Sequence, residues 1–385
     1  MKIIVLGAGL VGAPMAKDLA LDSRFKVSVA DIDEAALRRL SDNPTITTIR
    51  EDLSKPDNVK KLVAPYDFVL SSVPGFLGFQ TLKAVIENKK DIVDIAFFPE
   101  DPFELEDLAV KNNVTAVVDC GVAPGMSNLL TGHICRQLDE TQAVTIYVGG
   151  LPEVREWPYE YKAVFSPLDV IEEYVRPARY VMNGKPVVKP ALSEPELLYF
   201  DGLGTLEAFN TDGLRTLAKT IAAPNMKEKT LRYPGHIEKM AMLRETGFFG
   251  TEEIEIKGMR VRPLDMTAKL MFPMWKMKEG DRDITVMKVI VEGKRGGDTW
   301  RTTYDLRDRY DNASQTHSMA RTTGYTATLA LRMIAGGLYG RKGVSAPEFI
   351  GRQPECVKFM LDGLKDRGVI YRETIERIGD LAPVP

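Results

Sequence analysis

The first twelve residues constrain the fold more than any other part of the sequence. Lys2 to Leu6 form a short apolar run, which is typical of a strand buried on both faces. The run leads directly into Gly7-Ala8-Gly9-Leu10-Val11-Gly12, and an amphipathic segment from Val11 to Leu21 follows. A strand, a glycine turn and a helix in this order predict the first unit of a doubly wound parallel sheet of the Rossmann type.

Each glycine has a predicted role in this turn. Gly7 permits the tight turn after the strand, Gly9 lets the backbone approach a pyrophosphate, and Gly12 lets the helix pack closely on the strand. The predicted helix directs its first N–H groups at the phosphates, and Leu10 and Val11 are expected to contact the cofactor with the glycines. A tight strand-to-helix turn that binds nothing is the alternative interpretation.

Asp31 ends the second predicted strand, about twenty residues beyond the glycines. An acidic side chain at this position accepts hydrogen bonds from the adenosine ribose hydroxyls and repels a 2′-phosphate. No arginine follows Asp31 at once, so we expect NAD as the cofactor in preference to NADP. Asp31 could also cap the next helix, a role for which Asp33 competes.

The rest of the first 140 residues alternates between apolar runs and segments with a helical period. Strands are predicted at residues 2–6, 25–30, 45–49, 68–70, 92–96 and 116–118, and helices at residues 11–21, 33–40, 56–63, 77–88 and 102–112. Strands that alternate with helices of this length predict right-handed crossovers and a mostly parallel sheet. We therefore expect an α/β dinucleotide-binding Rossmann domain over residues 1–140.

The character of the sequence changes near residue 140. The alternation stops, and stretches typical of antiparallel strands occur at residues 253–256, 287–291 and 300–306. We expect an α+β domain for substrate binding and dimerisation over residues 141–345, with a long helix at residues 318–334. Residues 346–385 should form C-terminal helices, near residues 354–365 and 372–378, that pack back on the first domain.

The overall composition excludes several classes of protein. The net charge of −3 leaves no basic field for nucleic acid or anionic lipid, and no run of about eighteen apolar residues is present. The three cysteines are widely spaced, and no histidine or cysteine has metal-ligand spacing. The first strand leaves no room for a signal peptide. We therefore expect a cytoplasmic protein without a metal, which binds neither nucleic acid nor membranes and acts on a small molecule. On general grounds we expect a dimer or a dimer of dimers.

Residues that follow the predicted strands are candidates for ligand contacts, because ligands bind at the carboxyl ends of parallel strands. Ser72-Val73-Pro74 closes the fourth strand and should line the nicotinamide side, and Asp52 follows the third strand and should approach the adenine. Asp94 and Asp119 end the fifth and sixth strands, where each could hold a substrate ammonium or take a proton. A structural role at the Gly121 turn is an equal alternative for Asp119.

Motifs in both halves resemble the saccharopine dehydrogenase-like family. Besides the glycine turn, these motifs are Val118-Asp119-Cys120-Gly121-Val122-Ala123-Pro124-Gly125-Met126-Ser127-Asn128, Phe165-Ser166-Pro167 and Thr230-Leu231-Arg232-Tyr233-Pro234-Gly235-His236. Within that group the chain is most similar to L-lysine 6-dehydrogenases, a similarity that includes Asn210-Thr211-Asp212-Gly213-Leu214-Arg215. The resemblance spans nearly the whole chain.

The resemblance implies NAD-dependent oxidation of the ε-carbon of L-lysine, which releases ammonia and gives 2-aminoadipate 6-semialdehyde. Saccharopine reductases have Leu-Asp-Pro-Gly where this chain has Val122-Ala123-Pro124-Gly125, so a carboxylate expected for saccharopine is missing. One alternative is a saccharopine or carboxynorspermidine type reductase, which forms a secondary amine. A non-catalytic module that senses NAD(H) is the other.

The second half supplies further candidates. Histidine titrates near neutral pH, so His236 is a candidate general acid or base, with a structural role as the equal alternative. Arg232 is the first candidate to bind the substrate carboxylate. Arg215 is the second, although it could equally be a structural charge paired with Asp212.

The segment that contains Tyr161, Lys162 and Ser166 resembles a substrate-facing segment of the family, and we expect these three residues to contact the substrate. Lys162 could serve as a base if its pKa were lowered, and a solvent-exposed lysine is the alternative. Cys120 could line the site beside Asp119. It is not expected to act as a nucleophile, because hydride transfer needs none.

Overall fold

A computed structural model describes residues 1–278 and 280–379. Contacts within the chain divide it into two compact units. The first consists of Met1–Gln137 and Met319–Tyr371, and the second of Leu138–Ser318 together with residues 372–379. Each unit is built around a sheet of its own.

The strands and helices are numbered in chain order. The strands are β1 (Lys2–Leu6), β2 (Lys26–Asp31), β3 (Ile46–Arg50), β4 (Phe68–Ser71), β5 (Asp91–Asp94), β6 (Thr115–Val117), β7 (Glu140–Pro152), β8 (Ala178–Met182), β9 (Lys185–Lys189), β10 (Glu196–Phe200), β11 (Gly204–Asn210), β12 (Asn225–Arg232), β13 (Ile254–Ile256), β14 (Met259–Val261), β15 (Asp283–Arg295), β16 (Asp298–Arg309), β17 (Gly343–Ser345) and β18 (Tyr371–Ile378). The helices are α1 (Gly12–Ala20), α2 (Glu34–Ser41), α3 (Pro56–Val63), α4 (Gly75–Glu87), α5 (Glu106–Lys111), α6 (Met126–Cys135), α7 (Pro167–Val175), α8 (Leu217–Thr220), α9 (His236–Glu245), α10 (Pro263–Trp275), α11 (Ser318–Ala335), α12 (Pro347–Gly351) and α13 (Pro354–Asp366), and a short 3-10 helix spans Pro102–Leu105.

The first unit is built on a parallel sheet of seven strands in the order β17-β6-β5-β4-β1-β2-β3. The strand order reverses between β1 and β4, and such a reversal marks the place where open parallel sheets bind ligands. Residues 3–6 of β1 are fully buried, as expected for a strand covered on both faces. The Rossmann-type sheet predicted from the sequence is confirmed.

The chain returns to the first unit at Met319, earlier than predicted, because the sequence predicts that residues 141–345 form the second domain. Most of α11 and all of β17 belong to the first unit, where β17 runs parallel to β6. Asp18 of α1 accepts hydrogen bonds from Thr328 Oγ1 and Arg332 Nη1 of α11, both at 2.6 Å. The sequence signal for this return is weak, because β17 has only three residues and begins with a glycine.

The second unit is built on a mixed sheet in the order β10-β11-β12-β7-β15-β16-β18, with β8 and β9 paired beside β12. β7 is parallel to β12 and antiparallel to β15. Helices α7, α9 and α10 contribute Tyr174, Met240 and Trp275 to a buried cluster that includes Phe209 of β11. The predicted α+β character is confirmed, and the helix predicted at residues 318–334 corresponds to α11.

The helix predicted at residues 372–378 is wrong, because these residues belong to strand β18. β18 is the edge strand beside β16, and Arg377 Nη2 lies 2.5 Å from Asp298 Oδ1. The β-branched residues Thr374, Ile375 and Ile378 suit an extended backbone. Pairing with β16 therefore overrides the helical periodicity of this segment. The other helix of the predicted pair corresponds to α13, in the first unit.

Candidate functional site

The glycine turn joins β1 to α1, and its three glycines have different surroundings. Gly7 has a φ of +101°, and a Cβ on it would lie 2.8 Å from the Ser72 carbonyl oxygen. A Cβ on Gly12 would lie 2.1 Å from the Gly7 carbonyl oxygen. A Cβ on Gly9 would meet no heavy atom of the described chain within 4 Å. Packing therefore requires glycine at positions 7 and 12, whereas the open space at position 9 suits a ligand that approaches from outside.

Leu10 and Val11 complete the turn. Leu10 is half exposed, and Val11 is the N-cap residue of α1. A valine side chain cannot accept a hydrogen bond from the helix, Ala13 N donates to the Gly9 carbonyl oxygen at 3.1 Å, and Pro14 has no N–H. The positive end of the α1 dipole is the feature of this helix end that suits phosphate oxygens.

Asp31 lies at the end of β2 and is bonded to the glycine turn. Its Oδ2 accepts a hydrogen bond from Ala8 N at 2.6 Å, and its Oδ1 accepts one from Asp33 N at 2.8 Å. Asp33, and not Asp31, caps α2, because Asp33 Oδ1 accepts a hydrogen bond from Ala35 N. Each carboxylate oxygen of Asp31 keeps further acceptor capacity for a ribose hydroxyl. The turn and this carboxylate together fit a dinucleotide.

An arginine near Asp31 was missed by the sequence analysis. Arg50 ends β3 and lies opposite Asp31 in the register of β2 and β3. Its Nη1 is 3.9 Å from Glu34 Oε2. Arg50 comes from the neighbouring strand and does not follow Asp31 in the sequence, so no local motif indicates that the two residues are close. A cation and two carboxylates therefore lie at the end of β2.

Asp52 is engaged within its own loop. Its Oδ1 accepts hydrogen bonds from Ser54 Oγ at 2.6 Å and Ser54 N at 3.1 Å, and its Oδ2 lies 3.3 Å from Lys55 Nζ. These bonds from Ser54, together with Lys55, lower the pKa of Asp52. The carboxylate thus has a structural role after β3, and its predicted approach to adenine stays a prediction.

Ser72 connects the end of β4 to the glycine turn. Ser72 Oγ and Ser72 N both donate to the Leu6 carbonyl oxygen, at 3.0 Å and 2.8 Å. Val73 is buried, and Pro74 is the exposed N-cap residue of α4. The three residues lie at the carboxyl end of β4, where the sequence analysis placed them. Their contact with the nicotinamide stays a prediction.

The structure brings Asp94, Asp119 and Cys120 together at the same edge of this sheet. Asp94 ends β5, and its carbonyl oxygen accepts a hydrogen bond from Cys120 N at 3.0 Å. All three side chains are almost completely buried. Burial, together with the carboxylates of Asp94 and Asp119, raises the pKa of the Cys120 thiol. The thiol therefore stays protonated, which agrees with the expectation that it is no nucleophile.

The turn after Asp119 holds its shape through its own backbone. Gly125 has a φ of +138°, and a Cβ on it would lie 1.9 Å from the Gly121 carbonyl oxygen. Asn128 Oδ1 accepts hydrogen bonds from Gly125 N at 3.4 Å and from Ser127 Oγ at 2.9 Å. This arrangement begins α6 and fixes the backbone next to Ala123.

Arg232, the first candidate for a carboxylate clamp, lies in a buried network of the second unit. Its Nη2 lies 2.6 Å from Glu173 Oε2, and its Nε lies 3.4 Å from the Tyr174 hydroxyl. The guanidinium stacks over the ring of Tyr161, with 4.5 Å between Cζ and the ring centroid. Burial raises the pKa of Tyr161 well above its usual value. Arg232 therefore already has a carboxylate partner inside the protein.

His236 is held as a neutral imidazole. Its Nδ1 lies 2.9 Å from the Tyr159 carbonyl oxygen, and its Nε2 lies 2.9 Å from the Tyr174 hydroxyl. A carbonyl can only accept, so Nδ1 carries the proton and Nε2 accepts from Tyr174. Burial, followed by the charge of Arg232, lowers the pKa of His236 to about 3. Of the two roles that the sequence left open, this geometry favours the structural one.

Lys162 is buried, and the alternative of a solvent-exposed lysine is therefore wrong. Only 4% of its side chain is exposed, and its Nζ lies 2.8 Å from Glu156 Oε2 and 3.7 Å from Asp281 Oδ2. Ser166 is the N-cap residue of α7 and forms no side-chain capping bond there. Tyr161 and Lys162 thus belong to the interior of the second unit, and Ser166 begins α7.

Arg215 is partly buried and has a left-handed backbone, with a φ of +52°. Asp212, the neighbour proposed as its ion-pair partner, binds Arg179 through three hydrogen bonds, one of them from Arg179 N to Asp212 Oδ1 at 3.2 Å. Arg179 Nε lies 2.8 Å from Asp212 Oδ1, and Arg179 Nη2 lies 2.7 Å from Asp212 Oδ2. The turn around Arg215 is thus anchored to β8.

Glu228 is a buried acid that the sequence analysis missed. It lies on β12 and accepts a hydrogen bond from Thr211 Oγ1 at 2.6 Å. Burial raises the pKa of Glu228 to about 8, with smaller contributions from the charges of Glu173 and Asp212. A Cβ on Gly213 would lie 2.2 Å from the Glu228 side chain, so this glycine makes room for it. A single glutamate in a strand carries no signal of such burial.

Two general expectations concern metals and membranes. Within residues 1–278 and 280–379, no three His, Cys, Asp or Glu side chains lie together in a way that could hold a metal ion. No helix in the described part of the chain is long and apolar enough to cross a membrane.

The glycine turn, the carboxylate at the end of β2 and the parallel sheet define a dinucleotide-binding domain that is followed by a mixed α+β unit. Residues 3–117 match the saccharopine dehydrogenase NADP binding domain, and residues 121–369 match the saccharopine dehydrogenase C-terminal domain. The chain belongs to the saccharopine dehydrogenase family. The family resemblance predicted from the motifs is confirmed.

Two individual relatives are 26% and 27% identical to this chain, and both are longer than it. The mitochondrial alpha-aminoadipic semialdehyde synthase of Mus musculus is 27% identical over 266 residues, which cover 65% of this chain and 29% of the relative. The saccharopine dehydrogenase [NADP(+), L-glutamate-forming] of Saccharomyces cerevisiae is 26% identical over 273 residues, which cover 66% of this chain and 60% of the relative. The matches thus span about a third to three fifths of the length of these curated relatives.

One solved structure has a similar fold over its whole length. Apo histidine-tagged saccharopine dehydrogenase (L-Glu forming) from Saccharomyces cerevisiae superimposes with a TM-score of 0.79 at 20% identity. The match covers 97% of this chain and 99% of that chain. The likeness shows that the two chains share a fold.

Proposed function

We propose that the protein is an NAD-dependent dehydrogenase that oxidises the ε-carbon of L-lysine. The observation that carries this proposal is the position of Asp94 and Asp119 at the carboxyl edge of the sheet that carries the glycine turn. A dinucleotide and two buried carboxylates at one sheet edge suit the oxidation of an amine.

The reaction sets clear demands on this chain. The lysine side chain R–CH2–NH3⁺, NAD⁺ and water give the aldehyde R–CHO, NH4⁺, NADH and H⁺. The ammonium must lose a proton before its carbon can release hydride, and Asp119 or Asp94 accepts that proton. The nicotinamide, when bound, supplies the hydride acceptor. The same carboxylate returns a proton when water adds to the imine carbon and ammonia leaves.

NAD is the proposed cofactor, although the matching family model and several relatives carry NADP in their names. The support for NAD is Asp31, whose oxygens suit ribose hydroxyls and repel a 2′-phosphate. Arg50 is the feature that favours NADP, because a guanidinium binds phosphate well.

The ratio of kcat/KM for NAD to that for NADP tests the cofactor. Asp31→Asn removes the charge and should lower this ratio by about tenfold or more, which corresponds to about 1.4 kcal/mol. Asp33→Asn is the matched control, because asparagine also caps a helix, and it should leave the ratio unchanged. A wild-type preference for NADP would overturn this part of the proposal.

Lysine is the proposed substrate because Ala123 occupies the position of an aspartate in saccharopine reductases. The printed names of the relatives and the shared fold favour a second candidate, a reductase of the saccharopine type. NADH formation from L-lysine alone supports the first candidate. Turnover with saccharopine and none with lysine supports the second, and dinucleotide binding without either turnover supports a sensing module.

A further inference from the structure

A cavity of about 690 Å³ opens in the second unit. Its volume lies within the range of about 300–1,000 Å³ that is usual for small-molecule sites. Its walls come from the segment after β7, the turn between β10 and β11, the residues after β12, and the strands β15 and β16. The residues used below are Glu153, Arg155, Leu203, Tyr233, Ile284 and Arg309.

The cavity and the Arg232 network lie on opposite faces of the second sheet. Side chains alternate along a strand, so Tyr233 faces away from the side that carries Arg232. Tyr233 packs in one cluster with Leu231 and Ile284, whereas Tyr174 belongs to the cluster on the other face. A ligand in the cavity therefore lies on the other face of this sheet from Arg232 and Tyr174. Asp94 and Asp119, the carboxylates assigned to the proposed reaction, are not among the residues that line the cavity.

Two guanidinium groups and one carboxylate line the cavity. Arg155 lies over the ring of Tyr233, with 4.7 Å between Cζ and the ring centroid, and pairs with Glu160. Arg309 Nη1 lies 3.0 Å from Glu153 Oε1. About half of each arginine side chain is exposed, so these surface pairs are weak and can exchange for a ligand. Each guanidinium has five donors, more than one carboxylate can use.

We propose that this cavity binds a small acidic amino acid. The carboxylates of the ligand meet Arg155 and Arg309, because a guanidinium matches a carboxylate in shape and charge. The ammonium meets Glu153, and Leu203, Ile284 and the Tyr233 ring surround the carbon chain. The proposal depends on the second unit alone and holds whichever reaction the protein catalyses.

L-Aspartate and succinate are suitable probes, because both carry two carboxylates and only L-aspartate carries an amino group. Isothermal titration of the full chain should give one site per chain, with L-aspartate bound about tenfold more tightly than succinate. Glu153→Gln should abolish this preference. Arg309→Met should weaken both probes by about tenfold or more.

Arg301→Met is the matched control. Arg301 lies on β16 like Arg309 and pairs with a glutamate, Glu292, at 2.6 Å, but it does not line the cavity. It should leave both affinities unchanged. Arg155→Met gives a second test of the same site, and thermal unfolding of each variant shows whether it is folded.

Three results would overturn the proposal. The first is the absence of saturable L-aspartate binding up to about 20 mM, a concentration well above the Kd expected for a ligand held by two charge-assisted contacts. The second is equal binding by the Arg309→Met and Arg301→Met variants. The third is competition of L-aspartate with L-lysine in the presence of NADH, which would place the probe in the reaction site.

Discussion

The Tyr174 hydroxyl lies 2.9 Å from Nε2 of His236 and donates a hydrogen bond to it. The opposite nitrogen of the ring donates to the Tyr159 carbonyl oxygen, so both nitrogens are satisfied only while the imidazole is neutral. Tyr174 can then accept from Arg232 Nε. The loop that carries Arg232 and His236 is therefore held by one continuous chain of hydrogen bonds.

The first prediction is that His236 makes the second unit sensitive to acid. Its pKa is about 3 in the folded protein and about 6.5 unfolded, so only the unfolded chain binds this proton between these values. Stability is therefore lost as pH falls from about 6.5 toward 3, by up to about 1.4 kcal/mol per pH unit. His236→Gln should flatten this slope in urea unfolding followed by tryptophan fluorescence. Trp157, Trp275 and Trp300 are the three tryptophans, and all lie in the second unit.

Tyr174→Phe is the matched control for this prediction. It keeps the imidazole and should keep the acid sensitivity, while the lost partner of Nε2 lowers stability by about 1–3 kcal/mol. In both variants the dependence of kcat/KM on pH between pH 6 and 9 should show the same pKa values as in the wild type. A kinetic pKa near neutrality that disappears in His236→Gln would show that His236 does take part in proton transfer.

The second prediction separates two glycines of the turn. Gly12→Ala should lower the melting temperature strongly, because its Cβ would lie 2.1 Å from the Gly7 carbonyl oxygen. Gly9→Ala should melt like the wild type, because its Cβ meets no heavy atom of the described chain within 4 Å. Its Kd for NADH, from fluorescence titration, should nevertheless rise about tenfold or more, since a methyl group would keep the pyrophosphate at a distance. Unchanged NADH binding in Gly9→Ala would contradict this account of the turn.

The third prediction concerns Glu228, whose folded pKa of about 8 is raised above the usual value of 4.5. Between these values the folded state keeps a proton that the unfolded chain has lost, so stability falls as pH rises from about 4.5 to 8. Glu228→Gln resembles the protonated acid and should remove this loss. The variant should gain stability relative to wild type at pH 8 and show little difference at pH 4.5. An equal effect at both pH values would mean that packing, and not protonation, explains the change.

The fourth prediction distinguishes the three buried side chains at the sheet edge. If Asp119 or Asp94 is the proton acceptor, its replacement by Asn should lower kcat by about 10²–10⁴-fold with little change in NADH binding. Cys120→Ala should keep most of the activity, because burial keeps the thiol protonated and hydride transfer needs no nucleophile. Steady-state kinetics and NADH titration of the three variants provide the test. Full activity in both Asn variants would remove these carboxylates from the mechanism.

The sequence predicts the parts of the site that depend on local chemistry. Gly7, Gly12 and Asp31 lie where the motif places them, because a strand, a turn and a helix that are consecutive in the chain determine their geometry. The strand-end position of Asp94 and Asp119 follows from the same alternation of strands and helices.

Other features depend on contacts between distant segments. Lys162 is buried beside Glu156 and Asp281, which compensate its charge, and Arg232 is buried beside Glu173 of α7. A lysine or arginine in isolation predicts exposure. Residues 372–378 likewise take their conformation from a neighbouring strand. Such partners are visible only once the chain is folded.

One of the two edge strands of the first sheet, β17, comes from a segment far along the chain. During synthesis β6 leaves the ribosome well before Gly343–Ser345. The N–H and C=O groups on the outer edge of β6 therefore stay without their β17 partners until the intervening unit has been made. An unpaired strand edge invites association with other chains. A fragment that stops near residue 140 would keep the complete glycine turn and still carry this exposed edge. Anyone who expresses the nucleotide-binding half alone should therefore add the later segment back, or expect the product to aggregate.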